Sequence, residues 1–255
     1  MENRNAIKNR MRTIEETKQM ASVMELSASA GIHRAKKAAE QCWTGCLAAE
    51  ESKPYFGGAP FTGGWDGETI AVVAGGDRGL AGGYYVRLFE GVPAGAKVLP
   101  LGKKTAEFAR SRSFSLANEQ VYRLSEGTEA VTALIESFLS KEVARIYLVT
   151  PTLSGQPECR LLLPIAPSDG KGLYDPSLES ATRSFVSFYI TAYAVWAVRQ
   201  AAMCELAARR EAMGAASKNA EEMLDQLTLA YHAARQAAIT RELVEIVAGA
   251  DAENE

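Results

Sequence analysis

Apolar residues near the start of the chain recur in steps of three and four: Ile7, Met11, Ile14, Ala21, Ala28, Ile32, Ala35, Ala39, Cys42 and Cys46. Two charges, Lys18 and Glu25, interrupt the same register. That period predicts a helix with one narrow inward face. The far end repeats the pattern through Leu206, Met213, Ala216, Ala220, Met223, Leu227, Tyr231, Ala234 and Ala238. A seam so narrow suits a helix wound on another helix. Much of it is alanine, which allows close approach but contributes little burial, so each arm needs a partner.

The middle reads differently. ETIAVVAG, KVLPLG, ARIYLVT and ECRLLLPI are short apolar runs that predict buried strands. YYVRLFEG, KKTAEFARS and TEAVTALIESFLS predict helices between them. Strands alternating with helices imply a small, mostly parallel sheet covered on its faces. YFGGAPFTGGWDG, rich in glycine, proline and aromatics, reads as a linker or trimmed loop. LYDPSLESATRSF opens the C-terminal arm. The expected fold is α/β: an antiparallel coiled coil of long N- and C-terminal helices (residues 1–55 and 171–255) around a central α/β domain (56–170).

Proline placement supports the division. All nine prolines lie between Pro54 and Pro176. A proline inside a helix costs about 3 kcal/mol, so two arms without any can run uninterrupted. At 1.5 Å per residue the arms would be roughly 80 Å and over 100 Å long. The run Ser184–Val198 is apolar but short of the ~20 residues a membrane span needs, and it predicts a buried helix. A net charge of -3 gives no reason to expect nucleic acid as a partner. The four cysteines form no CxxC pair, and Cys42 and Cys46 read as small apolar fillers in a reducing compartment. His33 and His232 are too isolated to complete a metal site. The first residues, MENRNAIKNRMR, lack the apolar core of a signal peptide.

No nucleophile–base constellation can be assembled, and no catalytic residue, metal or cofactor is expected. GGDRGLAGG follows a strand and precedes a helix, where a phosphate loop would sit, yet it matches neither nucleotide-binding spacing. PLGKKT resembles a Walker fragment with Lys97 in place of the first glycine and Lys104 in place of the Ser/Thr. The structural reading is a tight turn, with Asp77 and Arg78 free for hydrogen bonds or a protein contact. Glu15, Glu16 and the repeated Glu and Arg of the arms read as a solvated helix face.

The stretch KNAEEMLDQLTLAYHAARQAAITRELVEIVAGADA closely resembles the C-terminal helix of the gamma subunit of F-type rotary ATP synthases. IKNRMRTIEETKQMASVMELSASAGIHRAKKA is similar to that family's N-terminal helix, and GGDRGLAGG to the loop after its first strand. LYDPSLES also has a counterpart there.

The resemblance implies a non-catalytic central-stalk rotor. Its partners would be the ring of alpha and beta subunits, the epsilon subunit and the membrane c-ring, and it would couple ion flow to ATP synthesis or hydrolysis. It further implies a peripheral location on the cytoplasmic face of a prokaryotic plasma membrane, with no direct membrane insertion. By position, Met24 and Arg209 resemble residues facing the beta-subunit lever. Arg235, Gln236, Thr240, Glu242 and Glu245 resemble the upper contacts with the ring, and Asp77, Arg78, Gly79 and Leu80 the foot near epsilon and the c-ring.

Departures mark a divergent, shortened member, of the kind an alternate ATPase complex would carry. Ser22 stands where the family usually has lysine, Arg241 where it often has glutamine, and Arg210 where it has methionine. Two readings compete with the rotor: a nucleotide-binding enzyme domain with coiled-coil arms, and a scaffold that does not rotate.

Overall fold

The computed structural model describes residues 4–56, 61–166, 174 and 177–253. The first arm is one helix, α1 (Arg4–Ser52), and the last is another, α5 (Leu178–Glu253). α1 stops two residues before Pro54, which sits in the 3-10 turn Lys53–Tyr55. Ser177 begins α5: its hydroxyl accepts from the Ser180 N–H at 3.2 Å, satisfying one of the donors that every helix start leaves open.

Between the helices lie β1 (Glu68–Ala74), α2 (Tyr84–Glu90), β2 (Lys97–Leu101), α3 (Lys103–Ser111), α4 (Gly127–Leu139), β3 (Val143–Thr150) and β4 (Glu158–Leu163). The sheet order is β2-β1-β3-β4. The first three strands are parallel, and β4 returns antiparallel along β3. The mostly parallel sheet expected from the alternating runs is what forms.

The chain separates into two compact units, Ala28–Arg210 and the paired segments Met1–Ser27 and Glu211–Glu255. In the larger unit the sheet is covered on both faces, which is why its strands are apolar runs rather than alternations. Ile70, Val72 and Ala74 of β1 join one core with α4 and with Tyr189, Tyr193 and Ala197 of α5. Ala71 and Val73 point the other way, into a second core with α2 and with Met203 and Cys204. The apolar run 184–198 supplies much of the first core, and among the described residues no helix is long and apolar enough to cross a membrane.

The segment that reads as a linker is firmly packed where it is described. Phe61 is fully buried with its ring 6.3 Å from that of Phe138, and its carbonyl accepts from Ile165. Trp65 lies 4.8 Å from Phe138 and donates to the Val143 carbonyl at 3.1 Å. Composition signalled chain reversal there, but its aromatics close one edge of the core. The expected boundary at 170/171 lies outside the described residues.

A polar cluster sits beside the same core. Glu50 accepts from the Tyr193 hydroxyl at 2.7 Å, from Tyr189 at 3.3 Å and from Arg160 at 3.3 Å. Burial works to raise its carboxyl, but the Tyr193 hydrogen bond and the Lys53 and Arg160 charges outweigh it and hold the group low.

In the smaller unit the two helical segments run antiparallel. Lys18 pairs with Glu221 at 2.9 Å, and one turn further along α1 the Ser22 hydroxyl meets Ser217 at 2.9 Å, one turn earlier on α5. The charges in the N-terminal register thus have physical accounts. Lys18 lays its stem along the seam and its ammonium on a carboxylate, and Glu25 occupies the space beside Gly214, its carboxylate 3.2 Å from where a Cβ would stand. One seam residue is misplaced by the periodicity. Met223 is exposed and its neighbour Leu224 turns partly inward, because a straight 3.6-residue helix drifts off a strict three-four repeat.

Candidate functional site

The loop after β1, residues 75–80, is held by side chains from four directions. The Gly76 N–H donates to the Thr105 hydroxyl at 2.8 Å. Asp77 accepts from the Lys103 N–H at 2.9 Å and from the Leu124 N–H at 3.2 Å, so one carboxylate caps the start of α3 and the start of the 3-10 turn Leu124–Glu126. The Tyr85 hydroxyl donates to the Arg78 carbonyl at 2.6 Å. From α5, Glu205 accepts from the Arg78 N–H at 3.1 Å, while Arg209 donates to the Gly79 carbonyl at 3.2 Å and to Glu205 itself.

Two glycines make this closeness possible. A Cβ on Gly76 would stand 2.4 Å from the Glu205 carboxylate, and one on Gly102 (φ 109°) would stand 2.3 Å from the Gly76 carbonyl.

These bonds bear on the phosphate-loop reading. An anion cradle needs backbone N–H groups free to converge on the ligand. Here the donors of Gly76, Arg78 and Lys103 are occupied by side chains, and those of Lys104 and Thr105 by the Gly76 carbonyl. Two lysines of the Walker-like fragment are paired as well, Lys97 with Glu68 and Lys104 with Glu107. The loop is a braced turn. Its outward groups are the exposed Arg78 side chain and Leu80, which is 59% exposed in the left-handed region at φ 60°.

The residues expected to contact partners fall into two sets. Asp77, Arg78, Gly79 and Leu80 share this loop, and Arg209 is brought to them from α5. Met24 is half-buried on α1 in the smaller unit. Arg235, Gln236, Thr240 and Glu242 are exposed on α5 in that unit, with the Thr240 hydroxyl donating to the Gln236 carbonyl at 3.0 Å. The side chain of Glu245 lies outside the described residues. Glu242 and Arg241 border a groove of about 720 Å³ lined by Ile7, Ala230, Ala234 and Ala238.

Glu205 was not among the expected residues, and the reading of arm Glu and Arg as a solvated face fails for it and for Arg209. They are only 6% and 8% exposed. Burial raises the Glu205 carboxyl above its ordinary value despite the opposing Arg209 charge and the Arg78 hydrogen bond. The four-residue spacing from Glu205 to Arg209 was a visible pairing signal. Sequence alone did not say that the pair points inward.

Two long helices, paired antiparallel in the smaller unit, and a small α/β sheet in the larger one define a protein of the coiled-coil and α/β class. An ATP synthase family model matches residues 3–252. The ATP synthase gamma chain of Ruminococcus albus is 30% identical, with 96% of this chain and 97% of the relative covered. That of Lachnoclostridium phytofermentans is also 30% identical, covering 97% and 98%. This chain belongs to the family of ATP synthase gamma chains. The alignments to these two relatives run over 278 and 297 positions against a chain of 255, so the relatives carry segments this chain lacks. Among solved structures, a chain of the Euglena gracilis mitochondrial ATP synthase (OSCP/F1/c-ring) shares the fold, with a TM-score of 0.65 at 15% identity over 98% of this chain and 94% of that one.

Proposed function

We propose that this chain is the central-stalk rotor of an F-type ATP synthase or ATPase, a non-catalytic subunit peripheral to the membrane. The observation that carries the reading is family membership over the whole chain together with the exposed apolar surface of the smaller unit. Leu229, Leu243, Val244, Ile246 and Val247 stand in solvent on α5, an arrangement that a surrounding protein sleeve would cover. In the rotor, Met24, Arg235, Gln236, Thr240, Glu242 and Glu245 act toward the alpha–beta ring and Asp77–Leu80 toward epsilon and the c-ring, while Arg209, buried against that loop, holds it rather than facing the ring. The mechanism is population shift. Each face of the shaft interacts differently with the conformations of a catalytic subunit, and that difference in energy sets the nucleotide affinity. The segments that its relatives carry and this chain lacks support assignment to a divergent complex, on the cytoplasmic face of a prokaryotic membrane.

The test is a tagged pull-down from the native membrane fraction, read for co-purifying subunits and ATPase activity. Alpha and beta subunits with activity are expected. A chain that emerges with unrelated partners, or alone, removes rotation as its function and leaves the scaffold reading.

A further inference from the structure

We propose that Glu205 and Arg209 are positioning residues that latch the 75–80 loop to α5 and so present Arg78 and Leu80 as a preformed contact for a neighbouring subunit. The inference rests on the partner role assigned above to that loop.

The latch is specific in polarity. Arg78 N–H and Gly79 C=O are neighbouring backbone groups of opposite character. Glu205 accepts from the first at 3.1 Å, Arg209 donates to the second at 3.2 Å, and the two side chains bond each other. The planar guanidinium serves a carbonyl and a carboxylate from one rigid fork, a geometry that the flexible point-charge ammonium of lysine does not fix. Gly76 is bare on the side where the carboxylate approaches, and Tyr85 fixes the Arg78 carbonyl from the opposite direction. Arg78 is therefore held at both of its backbone polar groups while its side chain stays exposed.

Stability alone is a poor reason for the pair. Burying two charges is costly, and apolar residues of similar volume often serve a core as well. Leu80 is an independent sign. A leucine in the left-handed region is strained, and at 59% exposure it gains little core packing in return. A loop that carries strain to hold an apolar side chain in solvent is shaped toward something outside the chain.

The experiment uses the holoenzyme reconstituted with four gamma variants. Arg209→Lys keeps the charge and loses the fork. The exchange Glu205→Arg with Arg209→Glu restores an ion pair but reverses its polarity toward the loop. Glu205→Gln keeps an acceptor and removes the charge. Leu80→Gly relieves the strain and deletes the side chain with the latch intact.

Amide hydrogen exchange at Arg78 reads the latch, and ions pumped per ATP hydrolysed reads the contact. Arg209→Lys and the exchange variant are expected to speed exchange at Arg78 by about fivefold or more and to lower pumping per ATP by at least about half. Glu205→Gln should lie between these and the native chain. Leu80→Gly should leave exchange slow and lower pumping. Native exchange and native coupling in the reversed pair would overturn the latch and leave an ordinary structural ion pair. Faster exchange with unchanged coupling in every variant would keep the latch and overturn the loop as a partner contact.

Discussion

The two units of this chain are built from the same two helices but hold together by different means. In Ala28–Arg210 the helices pack with a sheet around large side chains: Phe61, Phe138, Ile146, Leu148, Tyr189 and Tyr193 are all fully or almost fully buried. In the smaller unit, the buried apolar side chains among the described residues are Ile7, Ala21 and Ala220. Its large apolar residues lie outside instead, with Leu229 72% and Ile246 67% exposed. Each buried methylene contributes about 0.8 kcal/mol, so an alanine seam earns only a fraction of what a leucine seam would. One unit makes its own interior. The other leaves its large apolar side chains outside, as the proposed rotor role inside a ring requires.

The largest expected effect tests that contrast directly. Phe138→Ala removes a buried ring that touches Phe61 and Trp65 and should destabilise the larger unit by about 3–5 kcal/mol in denaturant titration. Ile246→Ala in the same assay should stay within about 0.5 kcal/mol, because the side chain is already in water. Its cost should emerge only in the assembled complex, as lost binding to the ring. Equal losses from both substitutions in the isolated chain would erase the difference between the units.

Two carboxylates of the larger unit give a second contrast, of opposite sign. The Glu50 carboxyl is lowered from an ordinary 4.5, so its contribution is present above that pH and lost as pH falls through the folded value. Glu205 is raised from the same 4.5, so its contribution is fully present below that pH and lost as pH rises through the folded value. Stability relative to Glu50→Gln should therefore shrink on acidification, and stability relative to Glu205→Gln should grow. Thermal midpoints from pH 7 down to about pH 3 measure both. Parallel slopes would mean that the Glu205 burial is wrongly understood.

These residues also mark what sequence can and cannot say. The helix and strand runs were legible because each is a local period: β1, β2, β3 and β4 fall on the apolar runs that predict them. The family was legible because the C-terminal block is dense with specific residues. The bracing of the 75–80 loop was not, since it depends on a register between segments more than a hundred residues apart. Glu205 and Arg209 are an ordinary helical pair until the loop backbone arrives between them and solvent. Phe61 and Trp65 were hidden for the converse reason, because turn-rich composition around them masked two core aromatics.

The smallest expected effect lies in the seam of the smaller unit. Lys18–Glu221 has a good length, 2.9 Å, but the glutamate is 61% exposed, so water and salt screen the attraction and holding two long side chains costs entropy. A double-mutant cycle with Lys18→Met and Glu221→Gln should give a coupling below about 1 kcal/mol that fades with added salt. Ser22→Ala should be no larger, since the Ser22–Ser217 hydrogen bond is also exposed to competing water. A larger coupling that survives high salt would locate the cohesion of this unit in its polar cross-links. Its exposed leucines and valines would then have to be explained without a surrounding sleeve, and the contrast with the larger unit would fail.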